Sequence, residues 1–493
     1  MFTFDGDSLR RAAEFALLGA VYVLFWTLRK AFRGPLSSVP GPWYSRFTNI
    51  VLKYHTMAGR RIHYVHDLHH KYGTVVRLCP GEVGVSDIAA YREVHRIGSG
   101  FVKAPWYDTS TPGLESNVFS MTNVQEHAAR RRLLARPFSR SSLLTHFQGL
   151  VTDRSRLAVA KIKEEAALGV CDVMKWWTLM TLDVIMEVAF GEKGGLIEAG
   201  EKNEFIQDLE RAEIGMALQG ETPWLYQVLK IAKPETYGGI SQSLSNVTGK
   251  ANSAVQRAKE GKLNRHNILC GMIADSRSEG TVVNDFGLGS QASALIIAGS
   301  GTTATTLTYA TWVLLTYPTV RHRLEAELFK LPEGFDDTTL EQLPYLNAFL
   351  TEVLRLYGSA PGALPRTTPA QGIRIGNHFI PPGITLTTQA YTVHRDPSVF
   401  ENPERFDPDR FYQREFTPEQ KAVFTPFGGG TRVCLGIHLA NMELRHGITE
   451  FVRECRHLEL SKLTTPESME MESFFLIAPI GHKLMVESTE RGS

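Results

Sequence analysis

The stretch FGGGTRVCLG, residues 427–436, sets one cysteine behind three consecutive glycines and an arginine. A thiol serves as metal ligand or nucleophile only as thiolate, so its pKa must fall below the free value of about 8.5 through nearby cations, backbone N–H donors or a helix N-terminus. This segment carries all three. Arg432 is a permanent cation, and Gly428, Gly429 and Gly430 let the backbone turn tightly and approach a flat partner. The periodic stretch IHLANMELRHGITEFV after Gly436 starts a helix whose positive end lies beside Cys434. With a single sulfur and no His, Asp or Glu ligand cluster nearby, the chemistry that fits is one axial thiolate to haem iron. On spacing alone, a buried and unreactive cysteine in a glycine-rich turn is the alternative.

Such a loop needs a rigid frame, and the periodicities predict many helices with a few short strands. The segment ALIIAGSGTTATTLTYATWVLL (294–315) is a long apolar helix interrupted by small residues. Its Thr and Gly content, and the charged RHRLEAEL helix after Pro318, favour a buried central helix over a membrane span. Glycines inside a helix cost about 1 kcal/mol each relative to Ala, so Gly299 and Gly301 together point to a functional gap, with a close helix-packing contact as the alternative. EHAARRRLLARPFS (126–139) reads as a basic helix ending near Pro137, and LNAFLTEVLRLY (346–357) as an amphipathic one. Residues 74–87 read as a hairpin around Pro80-Gly81, and 373–391 as short strands around Pro381-Pro382-Gly383. The fold class is mainly α with small β-sheets (α+β).

At 493 residues, 43% hydrophobic and 21% charged, the chain can bury a large core. It shows no internal repeat and no long flexible linker, which favours one large domain behind a short appendage. A net charge of +1 provides no field to attract nucleic acid. The five cysteines are odd in number, widely spaced and without a C-x-x-C pair, against a disulfide framework or structural zinc and for a reducing compartment. AAEFALLGAVYVLFWTL (12–28), followed by Arg29, Lys30 and Arg33, reads as a single membrane anchor, a cleaved signal peptide being the alternative. The basic residues downstream favour a cytosolic globule. The expected division is anchor 1–33, Pro/Gly hinge 34–45 and catalytic domain 46–493.

Phe427, Gly430, Arg432, Cys434 and Gly436 match every fixed position of F-x-x-G-x-R-x-C-x-G, the haem-binding signature of the cytochrome P450 family. EVLR (352–355) resembles the family's E-x-x-R, and PERF (403–406) its meander motif. The resemblance runs from the VPGP hinge to the C-terminus, and the anchor is similar to that of microsomal members. It implies haem b, with Cys434 as proximal iron ligand and Phe427 packed beside the sulfur. Arg432 and Arg366 would pair with the propionates, where carboxylates favour fork-shaped donors. Glu352, Arg355 and Arg405 would form an ion-pair network under the cysteine loop. Where the family has W-x-x-x-R on the basic helix, this chain has His127 and Arg131.

AGSGTT (298–303) resembles the family's oxygen-groove motif, with Thr302 as the proton-delivering threonine. The acid expected before it is absent, replaced by Gly301, so that water, Ser300 or Thr303 would take over the relay. The resemblance thus implies an NADPH-dependent monooxygenase. It would be fed by a membrane-bound flavoprotein reductase docking near Arg130, Arg131 and Arg132, and located in the endoplasmic reticulum membrane. The segments after Pro105, at 294–302, 359–364 and 473–476 would line the pocket. They are apolar or small apart from Asp108 and Glu115, which implies a hydrophobic substrate such as a terpenoid, polyketide or alkaloid intermediate of fungal secondary metabolism. A haem-thiolate isomerase or dehydratase and a non-enzymatic haem sensor are the rival readings.

Overall fold

The computed structural model describes residues 6–111, 114–263, 266–278 and 283–490. The expected pocket segment after Pro105 includes positions 112–113, which lie outside the described residues.

The frame is built on one helix. It spans Asp285–Thr316, starting well before the apolar run, because the Asn284 side chain caps it by accepting from Gly287 N at 2.6 Å. It stops before Pro318, which opens the next helix, Pro318–Leu328. The central helix is buried on most of its surface and packs along the equally apolar helix Val173–Phe190. A Cβ on Gly299 would lie 2.4 Å from Ile185 Cγ1, so this glycine lets the two helices approach. The helix runs unbroken past both glycines, so the expected gap is not a break in the backbone. Helix Ile437–Glu454, which follows Cys434, packs on Arg140–Leu168 and on the central helix. Its fully buried Phe451 contributes roughly 1.5–3 kcal/mol by burial alone. Helices Glu204–Glu221 and Pro234–Lys259 pack on each other, the second also against the central helix.

Residues 74–87 form the expected hairpin, with Val75–Cys79 antiparallel to Glu82–Val85. The hairpin continues through Thr385–Thr387, parallel to Glu82–Val85, then Arg366–Thr367 and Val102–Lys103. At that far edge Lys103 stands directly opposite Arg366. The Pro381-Pro382-Gly383 turn separates a small hairpin, Ile373–Ile375 with His378–Ile380, from the strand Thr385–Thr387.

Helix Gly6–Arg33 contains a stretch, Glu14–Arg33, long and apolar enough to cross a membrane, with Phe15, Leu17, Leu18, Tyr22 and Val23 exposed. Its end is joined to the globule: Phe32 meets Phe47 edge-on, and Arg46 lies over Phe32 while donating to Ala31 O. The Pro/Gly segment after it is docked rather than free. Leu36 and Val39 are buried with Val75 and Val83, and the buried Arg77 donates from its backbone to Pro40 O at 2.7 Å.

Candidate active site

The cysteine loop is shaped by glycine. Gly428 and Gly430 have φ of 73° and 63°, the left-handed region that side chains avoid, and a Cβ on Gly430 would lie 2.2 Å from the His95 carbonyl oxygen. The Gly430→Ala variant is therefore expected to lose at least about 2 kcal/mol, from left-handed backbone strain plus the clash, read as a lowered urea midpoint. Gly436→Ala is the control, since its Cβ would meet only Cys434 Sγ, at 3.9 Å. The Cys434 N–H donates to Phe427 O at 2.9 Å, closing the loop.

Protein surrounds Cys434 closely enough for burial to push its thiol up from the ordinary value, yet its surface is exposed. A Gly436 backbone hydrogen bond and Arg131 pull the thiol down, as the helix start and a cation should, but burial outweighs them. This corrects the expectation of a thiol lowered within the protein alone. The cation responsible is Arg131, while Arg432 donates elsewhere, to Met121 O at 2.8 Å.

Arg432 belongs to a knot of basic side chains. Lys103, Arg366 and His127 are buried, and Arg131 donates to Val433 O at 2.8 Å. Burial first, then Arg366 and Arg432, hold Lys103 well below its ordinary pKa. Burial and then Arg366 pull Arg432 down to about 10, and burial followed by Arg432, Lys103, Arg131 and Arg366 pulls His127 down to about 3. Among the described residues no carboxylate pairs with Lys103, Arg366 or Arg432, and Arg366 Nε and Arg432 Nη2 are buried without a partner. Like charges placed opposite across a sheet are destabilising, so the arrangement calls for anions.

Beneath the loop, Arg355 donates to both oxygens of Glu352 at 2.7 Å, both side chains being fully buried. Arg355 also donates to His394 O and Pro403 O at 2.7 Å and to Arg405 O at 3.3 Å. The ion-pair network that the resemblance implies would use the Arg405 guanidinium. Arg405 contributes its carbonyl instead, and the residue is exposed, because its N–H closes a tight turn onto Asn402, whose φ is 47°. Arg410 approaches Glu352 in its place, at 3.5 Å. Sequence reading also missed His394. Its Nδ1 bonds Arg355 O at 2.9 Å, its Nε2 accepts from Thr425 N at 3.1 Å, and its ring stacks on Phe424. Neutral His394 thus couples the ion pair to the segment that enters the cysteine loop, burial lowering its pKa to about 3.

On the central helix, Gly301 and Thr302 keep open surface while Ser300 and Thr303 are buried. The Thr302 hydroxyl donates to Ala298 O at 2.8 Å. The Ser300 hydroxyl donates to Ile297 O of its own helix, and its backbone carbonyl accepts from Thr181 of the neighbouring helix at 2.7 Å. Thr303 is hydrogen-bonded to Glu443, a carboxyl that burial pushes up to about 8. An aromatic wall connects the cations with this helix. Lys103 lies over Tyr107 and Phe119, Phe119 meets Phe475, and Phe475 stacks on Trp106. Next to Phe475, Leu476 comes within 3.8 Å of where a Gly301 Cβ would be. Phe475 is held at φ 116°, a strained backbone position for a non-glycine residue. Asp108 is exposed and accepts from Thr122, and Glu115 lies against Gly287 near the start of the central helix.

The family model described as Cytochrome P450 matches residues 39–486. The chain belongs to the cytochrome P450 family. Among its relatives, Cytochrome P450 monooxygenase cypX of Dothistroma septosporum is 37% identical over 480 residues, covering 94% of this chain and 93% of the relative. Cytochrome P450 monooxygenase stcB of Emericella nidulans is 38% identical over 459 residues, covering 91% and 87%. Cytochrome P450 monooxygenase tazI of Aspergillus terreus is 37% identical over 481 residues, covering 95% and 97%. This P450 is an oxidoreductase of the monooxygenase type.

The family implies haem, and the residues of this P450 fit it. An accessible thiol ringed by protein would answer the iron, and unpartnered buried guanidinium N–H groups would answer two propionates. Lys103, missed by sequence reading, would join Arg366, Arg432 and His127 there; its only sequence signal is a charge set in the apolar run FVKAPW.

Proposed function

We propose that this P450 inserts one oxygen atom from O2 into a hydrophobic small molecule, an intermediate of terpenoid, polyketide or alkaloid biosynthesis, using electrons passed from NADPH by a membrane-bound reductase. The observation that carries the substrate class is the wall of Trp106, Tyr107, Phe119, Phe475 and Leu476 beside the open part of the central helix. Such a wall binds apolar surface and excludes water. The haem supplies the oxidising power when bound. Cys434 would hold its iron and Arg366, Arg432, His127 and Lys103 its propionates. Thr302 would orient proton donors on the open side, with Phe427 packed beside the sulfur.

We assign residues 1–33 to a single-pass anchor in the endoplasmic reticulum membrane, with 46–493 as the cytosolic catalytic domain beyond the 34–45 segment. Exposed Trp43, Ile50 and Tyr54 near the anchor, and Trp224, Val228 and Ile231 on helix Pro223–Ala232, support a globule resting on the membrane. For the reductase, the basic helix Val124–Ala135 leaves Arg132 exposed with Arg136 just beyond it, whereas Arg130 is partly used in donating to Gly287 O.

The test is reconstitution with a fungal NADPH–P450 reductase in vesicles, using a panel of terpenoids, polyketides and alkaloids under labelled O2. A product carrying one labelled oxygen is expected, whereas a rearranged or dehydrated product without label would favour the isomerase reading. Changing Arg132 and Arg136 to Glu is expected to raise the reductase concentration for half-maximal rate about tenfold at low salt, leaving the reduced carbon-monoxide spectrum unchanged.

A further inference from the structure

Monooxygenation consumes protons: each O2 takes two electrons and two protons while one oxygen enters the substrate and the other leaves as water. The hydroxyls expected to handle them are engaged. Thr302 donates to Ala298 O, Ser300 is buried with its hydroxyl on Ile297 O, and Thr303 is bonded to Glu443. Gly301 has no side chain at all. A Cβ placed there would meet the two carboxylate oxygens of Glu213 at 3.8 and 3.9 Å, and Leu476 Cδ1 at 3.8 Å. A carboxyl from another helix, Glu204–Glu221, therefore fills the space that an acidic side chain at position 301 would reach.

We propose that Glu213 is the proton donor of this P450, supplying from the neighbouring helix the carboxyl that the central helix lacks at Gly301. The proposal rests on the monooxygenase reading. Glu213 has no ion-pair partner among the described residues, and burial, with Glu210 one turn away, pushes its pKa up to about 8. The carboxyl therefore keeps its proton closer to neutral pH than an ordinary glutamate does. The carboxyl O–H bond breaks as an O–H bond forms on the oxygen that leaves as water. The carboxylate then regains its proton from solvent, on the side where Glu210 is exposed and paired with Lys202. Electrons come from NADPH through the reductase, so the cycle balances.

The test needs no substrate. With reductase, NADPH and O2 alone, electrons end either in peroxide, at one NADPH per O2, or in water, at two. Full-length wild type is expected to send a measurable share to water. Glu213→Gln is expected to shift flux to peroxide, the water-forming rate falling at least about tenfold, the part of a general acid's roughly 10²–10⁴-fold contribution that bulk water does not restore. The double variant Glu213→Gln, Gly301→Asp should recover water formation by returning a carboxyl from the central helix. Infrared spectra of the resting protein should show a protonated carboxylic C=O band that shifts in D2O and is lost in Glu213→Gln.

A Glu213→Gln variant with the wild-type electron split, wild-type flux wholly to peroxide, or no such infrared band at neutral pH would each overturn the assignment to Glu213. A wild type that shows the thiolate spectrum but consumes no O2 with NADPH and reductase would overturn the monooxygenase reading itself, and the donor role with it.

Discussion

Cys434→Ser is expected to abolish the strongly red-shifted Soret band of the reduced, carbon-monoxide-bound protein and to bring reductase-supported oxidation down to the level of a haem-free control. The loop leaves one sulfur accessible and is closed by the Cys434 N–H on Phe427 O and by the glycines that admit left-handed turns. A serine oxygen keeps the shape but lacks the soft, electron-donating character of a thiolate, the property that favours O–O cleavage at haem iron. In the haem-free protein the side chain is exposed, so there the substitution should change the unfolding free energy by less than about 0.5 kcal/mol. The comparison is made on samples matched for haem content. A haem-loaded serine variant that keeps the band would show that Cys434 is not the ligand.

The second large effect concerns stability. Arg355→Ala is expected to destabilise the protein by about 3–5 kcal/mol, because it leaves the fully buried Glu352 carboxylate with only the Asp407 N–H at 2.9 Å and the distant Arg410. It also strands the carbonyls of His394 and Pro403, which Arg355 satisfies at 2.7 Å. Through His394 and Thr425 the damage reaches the cysteine loop, so haem retention should fall with the urea midpoint. The double variant Glu352→Leu, Arg355→Met removes both charges. It is expected to recover part of the loss but not all, since the carbonyls remain unpaired. Equal stability of the single and double variants would show that the carbonyl contacts, and not the buried charge, dominate.

Local spacing made much of this protein legible. The glycines, arginine and cysteine of 427–436 lie within one turn-forming segment, where backbone geometry and thiol placement follow from neighbours in sequence. Glu352 and Arg355 are one helical turn apart, so their pairing needs only the helix that the apolar period predicts. The apolar run after residue 11 and the hairpin at Pro80-Gly81 are likewise local patterns.

What the tertiary structure decided are the partners brought from distant segments and the direction in which side chains point. Lys103 meets Arg366 because two short strands pair, and His394 reaches both Arg355 and Thr425 because it sits between them in space. Arg405 and Arg410 lie five residues apart, and a left-handed turn at Asn402 decides which guanidinium approaches Glu352. Gly299 and Gly301 look alike in sequence, yet one faces Ile185 in a helix contact and the other faces the Glu213 carboxyl. Spacing along a chain specifies turns and helix faces. Which face meets which neighbour, and so which charge is buried or left to be paired, depends on packing among elements hundreds of residues apart.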